Sequence, residues 1–185
     1  MQPEPDFVAG RELPGRAWRL AAETYAGPEV AAGAGTDHPI AVAELIDTAG
    51  FTDEVVAAAL LHDLVEDTPA TTDEVTAGFG AEIGGWVGAL TEDTAIEDYH
   101  ERKWEHRRRV LAAGSVPASI YLADKLARTR AMRAAGERTD PDRLEHYWDT
   151  LELYTSRRPE LPFLFELAEE LPKLEPAEPG DQPDD

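Results

Sequence analysis

Two residue types that bind metals stand side by side where water should not reach. His62 and Asp63 lie inside Val55-Val56-Ala57-Ala58-Ala59-Leu60-Leu61-His62-Asp63-Leu64-Val65, a stretch that as a helix would be apolar nearly all round and therefore buried nearly all round. Burying an ionised carboxylate without a partner costs on the order of several kcal/mol even after relaxation. A divalent cation held by both side chains offsets that cost. The anomaly recurs in Ile120-Tyr121-Leu122-Ala123-Asp124-Lys125-Leu126, where Asp124 sits in another mostly apolar run. His38, immediately before Pro39, adds a donor at a helix start. His38, His62, Asp63 and Asp124 make a mixed nitrogen–oxygen set, which suits manganese, iron(II), cobalt or zinc better than calcium or magnesium. Taken singly, each has an ordinary explanation, since a buried His is usually a satisfied core residue and a buried Asp often caps a helix or pairs with Arg. Their combination on separate core segments favours the metal.

The elements that must position these residues read as helices throughout. Gly15 to Ala26 gives a first helix, and Gly27 to Asp37 a loop of small residues. Pro39 suits a first helical position, so a helix runs from His38 or Pro39 to about Ala49, stopped by Gly50. Asp53 and Glu54 favour the positive end of the next helix, which continues to about Val65. Thr71 and Glu74 have capping-box spacing and open a short helix ending at Gly78. Further helices are expected over Ala81–Leu90, weakened by its glycines, and over about Ile96–Ala113, Val116–Ala134 and Pro141–Ser156, with a short segment near Leu161–Leu171. No stretch alternates apolar and polar residues long enough for a sheet. The expectation is an all-α helical bundle over residues 13–172, between a flexible N-terminal tail (1–12) and an acidic, disordered C-terminal tail (173–185).

Composition narrows the function. The 185 residues carry a net charge of −21, so nucleic-acid polymers and anionic membranes are poor partners. Nine of the 17 Lys and Arg fall between Arg102 and Arg133, which leaves one region able to attract a small phosphorylated ligand. No apolar run is long enough to span a bilayer. The absence of cysteine and of a signal-peptide pattern fits a cytoplasmic location.

The motifs carry a resemblance. His38-Pro39-Ile40-Ala41-Val42-Ala43, Ala58-Ala59-Leu60-Leu61-His62-Asp63-Leu64-Val65-Glu66-Asp67-Thr68 and Leu122-Ala123-Asp124-Lys125-Leu126, in that order, resemble the HD superfamily of metal-dependent phosphohydrolases. More narrowly, they look like the hydrolase domain of RelA/SpoT proteins and its small stand-alone homologues. Phe79-Gly80-Ala81-Glu82-Ile83 and Leu90-Thr91 fit the same pattern, and the match runs from about Ala17 to Tyr154. The resemblance implies an HD-domain helical bundle holding one manganese ion at His38, His62, Asp63 and Asp124. It implies hydrolysis of the 3′-pyrophosphate of ppGpp and pppGpp, with Glu66 and Asp67 assisting catalysis. Helical spacing is consistent with that role, because Glu66 follows His62 and Asp67 follows Asp63 by four residues.

Basic and aromatic residues supply the expected grip on substrate. Arg128 lies one turn after Asp124, with Lys125 adjacent, and Arg143 and Tyr147 form an i, i+4 pair matching residues of the family that contact the nucleotide. Lys103, Arg107, Arg108 and Arg109 read as a solvated helix face. His100 and His106 lie where some HD enzymes hold a second metal, but their polar surroundings read as exposed. The chain departs from the resemblance before His38, where Glu23 to Asp37 contains no Arg, Lys or Gln, and at Arg128, where the family favours Asn. Three readings stay open: an alarmone hydrolase, an HD phosphohydrolase acting on another small nucleotide or phosphorylated metabolite, and a catalytically silent metal-binding nucleotide sensor.

Overall fold

The computed structural model describes residues 3–136 and 138–174. Ten helices occupy them: α1 (Glu12–Tyr25), α2 (Asp37–Thr48), α3 (Asp53–Leu61), α4 (Leu64–Asp67), α5 (Thr72–Phe79), α6 (Ala81–Leu90), α7 (Tyr99–Ala113), α8 (Ser115–Ala135), α9 (Pro141–Arg157) and α10 (Leu164–Glu170), followed by a 3-10 turn, Leu171–Lys173. No β-strand occurs among the described residues, so the chain folds as the expected all-α bundle. None of these helices is long and apolar enough to cross a membrane.

Two helices form the centre. Every residue of α3 from Val55 to Leu61 is buried, which its uniformly apolar sequence requires, and α3 packs against α1, α2, α6 and α8. The longer α8 contacts α2, α7 and α10 as well as α3 and α6. Leu60, Leu61, Leu122 and Leu126 are almost wholly enclosed, and each such burial contributes roughly 1.5–3 kcal/mol. Because α2 touches both central helices, its first turn is held over the end of α3 and the middle of α8. Those are the three places from which the candidate metal ligands come.

Local chemistry sets the boundaries. At Thr71 both halves of the capping box form: the hydroxyl accepts from Glu74 N at 3.2 Å and Glu74 Oε2 accepts from Thr71 N at 2.8 Å. Helix α7 begins at Tyr99, not Ile96, because Asp98 caps it, its Oδ1 accepting from Glu101 N at 2.8 Å. Gly84 is required by close packing of α5 on α6, since a Cβ there would meet Thr76 Cα at 2.9 Å.

Three expectations need correction. The helix drawn through Val65 breaks at the His62-Asp63 pair: Asp63 turns to φ −94°, ψ −3°, and α4 restarts at Leu64. The segment expected to be a loose N-terminal tail packs onto the body over residues 5–11. Val8 is fully buried, and Arg11 pairs with Asp47 and with Asp53 Oδ1, the latter at 2.6 Å. A short apolar pair, Phe7-Val8, thus anchors an otherwise acidic stretch. At the other end Leu174 is buried; residues 175–185 of the expected acidic tail lie outside the described residues.

Candidate metal centre and substrate cavity

The four expected metal ligands converge. His38 Nε2 lies 2.8 Å from Asp124 Oδ1 and 3.7 Å from Asp63 Oδ2, and the His38 and His62 rings meet edge to face with centroids 5.4 Å apart. Ligand atoms of His38, His62 and Asp124 all fall within 4.8 Å of one another, so these three could hold a metal ion. Asp63 reaches the same point, its Oδ1 being 3.1 Å from His62 Nε2.

His62 gives the most direct test of whether this set fits a cation. Its Nδ1 lies 2.8 Å from the carbonyl oxygen of Ala59. A carbonyl only accepts, so Nδ1 carries a hydrogen whatever the charge of the ring, and Nε2 is the nitrogen that takes either a second proton or a metal. That Nε2 is buried without a hydrogen bond; Asp63 is within charge-attraction distance but not aligned as a hydrogen bond. Burial opposes a charge on this ring, yet Asp63 and Asp124 outweigh it and hold the pKa up at about 9. An orphaned, anion-flanked imidazole nitrogen is what a divalent cation satisfies. Asp124 would be raised by burial, but Lys125, whose Nζ donates to Oδ2 at 2.5 Å, and His38 keep it far below the usual carboxylate range. The residues fit the metal.

A cavity of about 220 Å³ opens from His62, Asp63 and Asp124. All of the expected catalytic and substrate residues line it: Glu66, Asp67, Lys125, Arg128, Arg143 and Tyr147. Arg128 leans over the metal ligands, with Nη2 3.7 Å from Asp63 Oδ2. Lys125 is buried between Asp124 and the Tyr121 ring, its Nζ 3.9 Å from the ring centroid. Glu66 keeps an open side to solvent, but its carboxyl is crowded: Oε1 accepts from the backbone N–H of Glu92 at 2.5 Å. Partial burial and the neighbouring charge of Asp63 push its pKa up to about 7. Asp67 is also raised, by burial and Asp63, and accepts from the Tyr25 hydroxyl at 3.2 Å.

The far end of the cavity was misread in the sequence. Lys103, assigned to a solvated face, points inward and pairs with Glu92, which Arg102 Nε also holds at 3.1 Å. His106, read as exposed, is only 3 % exposed and lies 3.5 Å from Glu92 Oε1. Arg107 is buried and paired with Asp149 at 2.6 Å, and Arg109 donates to the carbonyls of Ala89 and Thr91, both at 2.9 Å. Only Arg108 of that group is exposed. His100 is exposed beside Asp142 and does not join His106. Tyr25, Glu92, Tyr99, Tyr121 and His146 were not singled out as site residues. For Tyr121 the signal was present, since it precedes Asp124 by three residues on the same helical face.

Comparison with known proteins agrees with this picture. Residues 17–158 match the HD domain family. The chain is 37% identical over 118 residues to the human guanosine-3′,5′-bis(diphosphate) 3′-pyrophosphohydrolase MESH1, covering 61% of this chain and 64% of MESH1. It is 32% identical over 119 residues to the Haemophilus influenzae enzyme of the same activity name, covering 63% of this chain but 18% of that one. The chain therefore spans less than two thirds of the length of these relatives, and under a fifth of the longer one. Among solved structures, lmo0812 from Listeria monocytogenes EGD-e superposes with a TM-score of 0.65 at 30% identity, over 73% of this chain and 96% of that protein.

Proposed function

The chain belongs to the HD domain family, and from that premise we propose that it is a metal-dependent phosphohydrolase cleaving a phosphate or pyrophosphate ester of a nucleotide, with the 3′-pyrophosphate of (p)ppGpp as first candidate. One observation carries this reading. A single cavity joins an orphaned, anion-flanked His62 Nε2 to a glutamate poised near neutrality and to cations suited to phosphate.

His38, His62, Asp63 and Asp124 would hold the ion, with manganese the best match to their donor set. A divalent ion there supplies a Lewis acid that polarises a phosphoryl oxygen and makes water more acidic. The protein's own groups do the rest. Glu66, with one oxygen fixed by Glu92 N–H and one side open to solvent, takes the proton from the attacking water. Asp67, held by Tyr25, orients that water. Lys125, Arg128 and Arg143 bind phosphoryl oxygens, and Arg can do so in bidentate fashion. Tyr147, buried beside Lys125, forms the wall against which the phosphate is placed.

A second reading, hydrolysis of another small nucleotide or phosphorylated metabolite, is favoured by the cleft that adjoins the metal ligands. That cleft, about 390 Å³, is lined by Ala32, Gly33, Ala34, Gly35 and Asp37, with Arg128 its only Lys or Arg among the described residues. It offers shape and backbone, and little charge, to the nucleoside portion. The test is a panel of ppGpp, a 2′-phosphorylated dinucleotide and deoxynucleoside triphosphates incubated with the manganese-loaded protein. Release of phosphate or pyrophosphate from one of them is expected. Bound metal with no turnover across the panel would overturn the enzyme reading in favour of a nucleotide sensor.

A further inference from the structure

Two cations already stand against the two carboxylates of the candidate metal centre. Lys125 Nζ donates to Asp124 Oδ2 at 2.5 Å. Arg128 leans over both acids, with Nη2 3.7 Å from Asp63 Oδ2 and Nε 4.0 Å from Asp124 Oδ1. A second proton on His62 is a different kind of charge, because a metal that takes Nε2 displaces it. The charges of Lys125 and Arg128 stay. The wider cavity wall is balanced in the same way, with five carboxyl groups against four Lys and Arg, so a divalent ion added to it turns the formal charge positive. Glu66 and Asp67 do not spare Arg128 that encounter. Among the described residues Arg128 forms ion pairs with Asp63 and Asp124 alone, while Asp67 is held by Tyr25 and Glu66 by the Glu92 N–H.

The two cations are held very differently. Lys125 is buried, hydrogen-bonded to Asp124 and packed on the Tyr121 ring, which fixes it in place. The Arg128 side chain is 42% exposed, and both of its separations from the acids are too long for hydrogen bonds. It follows Asp124 by four residues on α8, so it rises on the face that carries the ligand. It also lines two spaces at once: the cavity of about 220 Å³ and the adjoining cleft of about 390 Å³, where it is the only Lys or Arg among the described residues. Rotation about its own torsions carries the guanidinium away from the carboxylates without any movement of α8.

We propose that Arg128 makes divalent-ion binding at this centre depend on an anion: its guanidinium opposes the ion at Asp63 and Asp124, and a phosphoryl-type anion that takes up the guanidinium relieves the opposition. The inference rests on the metal reading of these ligands and adds a regulation to it. With no anion at hand, an incoming ion shares the two carboxylates with a cation a few ångströms away, and repulsion over such distances in a partly wet site lowers affinity by about tenfold. An anion above the ligands engages the planar fork of Arg128, in bidentate fashion where two oxygens are offered, and cancels its charge. The coupling is reciprocal. If the anion tightens the metal by some factor, the metal tightens the anion by the same factor. The chain would therefore hold its ion weakly when idle and firmly when an anionic ligand is bound.

The experiment titrates the metal-free full chain with manganese and follows the free ion by its electron paramagnetic resonance signal. It is run in chloride and in inorganic orthophosphate at matched ionic strength, with manganese–phosphate association in buffer measured and subtracted. In chloride, Arg128→Gln is expected to bind manganese about tenfold more tightly than the wild type. Arg128→Lys keeps the charge and should stay near the wild type. Orthophosphate should tighten manganese binding severalfold in the wild type and much less in Arg128→Gln. A gain of affinity cannot come from a misfolded protein; thermal melts check each variant, and Arg128→Asn replaces Arg128→Gln if the latter is unfolded. Manganese affinity in chloride that is unchanged or weaker in the folded variant overturns the proposal, as does a phosphate effect that is absent in the wild type or undiminished in the variant. Failure of both proteins to bind manganese at all would overturn the metal reading itself, and the proposal with it.

Discussion

Glu66 and Glu92 share one cavity and one hydrogen bond, yet their surroundings drive them in opposite directions. Glu66 meets burial and the charge of Asp63, and its carboxyl rises to about 7. Glu92 is also partly buried, but His106, Lys103 and Arg102 surround it, and its carboxyl is held far below the usual range. Environments that push two like groups apart assign their roles. Glu66 is equipped to exchange a proton near neutral pH. Glu92 is a fixed anion that gathers the cations of α7 and presents its own N–H to Glu66. The acid in the motif and the acid outside it form one device.

The largest expected effect tests the ground on which both glutamates stand. Asp124→Asn leaves Lys125 without its buried counter-charge and removes a proposed metal ligand, so bound manganese, measured by elemental analysis, should fall to background along with activity. Retention of stoichiometric metal would remove Asp124 from the ligand set. Next in size is Glu66→Gln, which keeps the acceptor for Glu92 N–H and loses the base. A drop in kcat of roughly 10²–10⁴ is expected with metal content unchanged. An unaltered rate would move the base to Asp67.

How far this was legible in the sequence depended on whether burial was local or borrowed. In α3 and α8 the apolar neighbours of His62, Asp63 and Asp124 lie within one turn, so the cost of the buried charge could be read directly. The bundle and the convergence of these side chains followed from that. Lys103, His106 and Arg107 sit instead among polar neighbours in α7, and their partners come from elsewhere: Glu92 in the loop after α6, His146 and Asp149 in α9. Only tertiary contact turns that charged face inward. The break between α3 and α4 was hidden for a related reason, because Leu64 and Val65 continue the apolar pattern across it. Phe7-Val8 was too short to register against its acidic surroundings.

A third measurement sharpens the contrast between the two glutamates. If Glu66 is the base, kcat/KM should rise with pH and level off above a limb at or below about 7. Glu92 is one of the charges holding the Glu66 pKa up. Glu92→Gln removes that charge and also releases Arg102 and Lys103 from it, and both changes move the limb to lower pH. A limb that stays in place would separate the two glutamates electrostatically.

The smallest effect is on stability, and its sign differs between the two positions. For Glu92 the folded pKa is depressed, so its charge stabilises the fold above the unfolded value of about 4.3 and loses that contribution as pH falls toward the folded value. For Glu66 the folded pKa is raised, so the fold carries a penalty that is complete above about 7 and gone below the unfolded value. Thermal melts of the metal-free chain should therefore place Glu92→Gln below the wild type at pH 8, with the gap closing in acid. Glu66→Gln should lie at or slightly above the wild type at pH 8 and converge with it near pH 4. The open side of Glu66 lets water screen part of its penalty, which makes its shift the lesser of the two. Both variants moving Tm in the same direction at pH 8 would mean that the shared hydrogen bond, and not the opposed environments, dominates this end of the cavity.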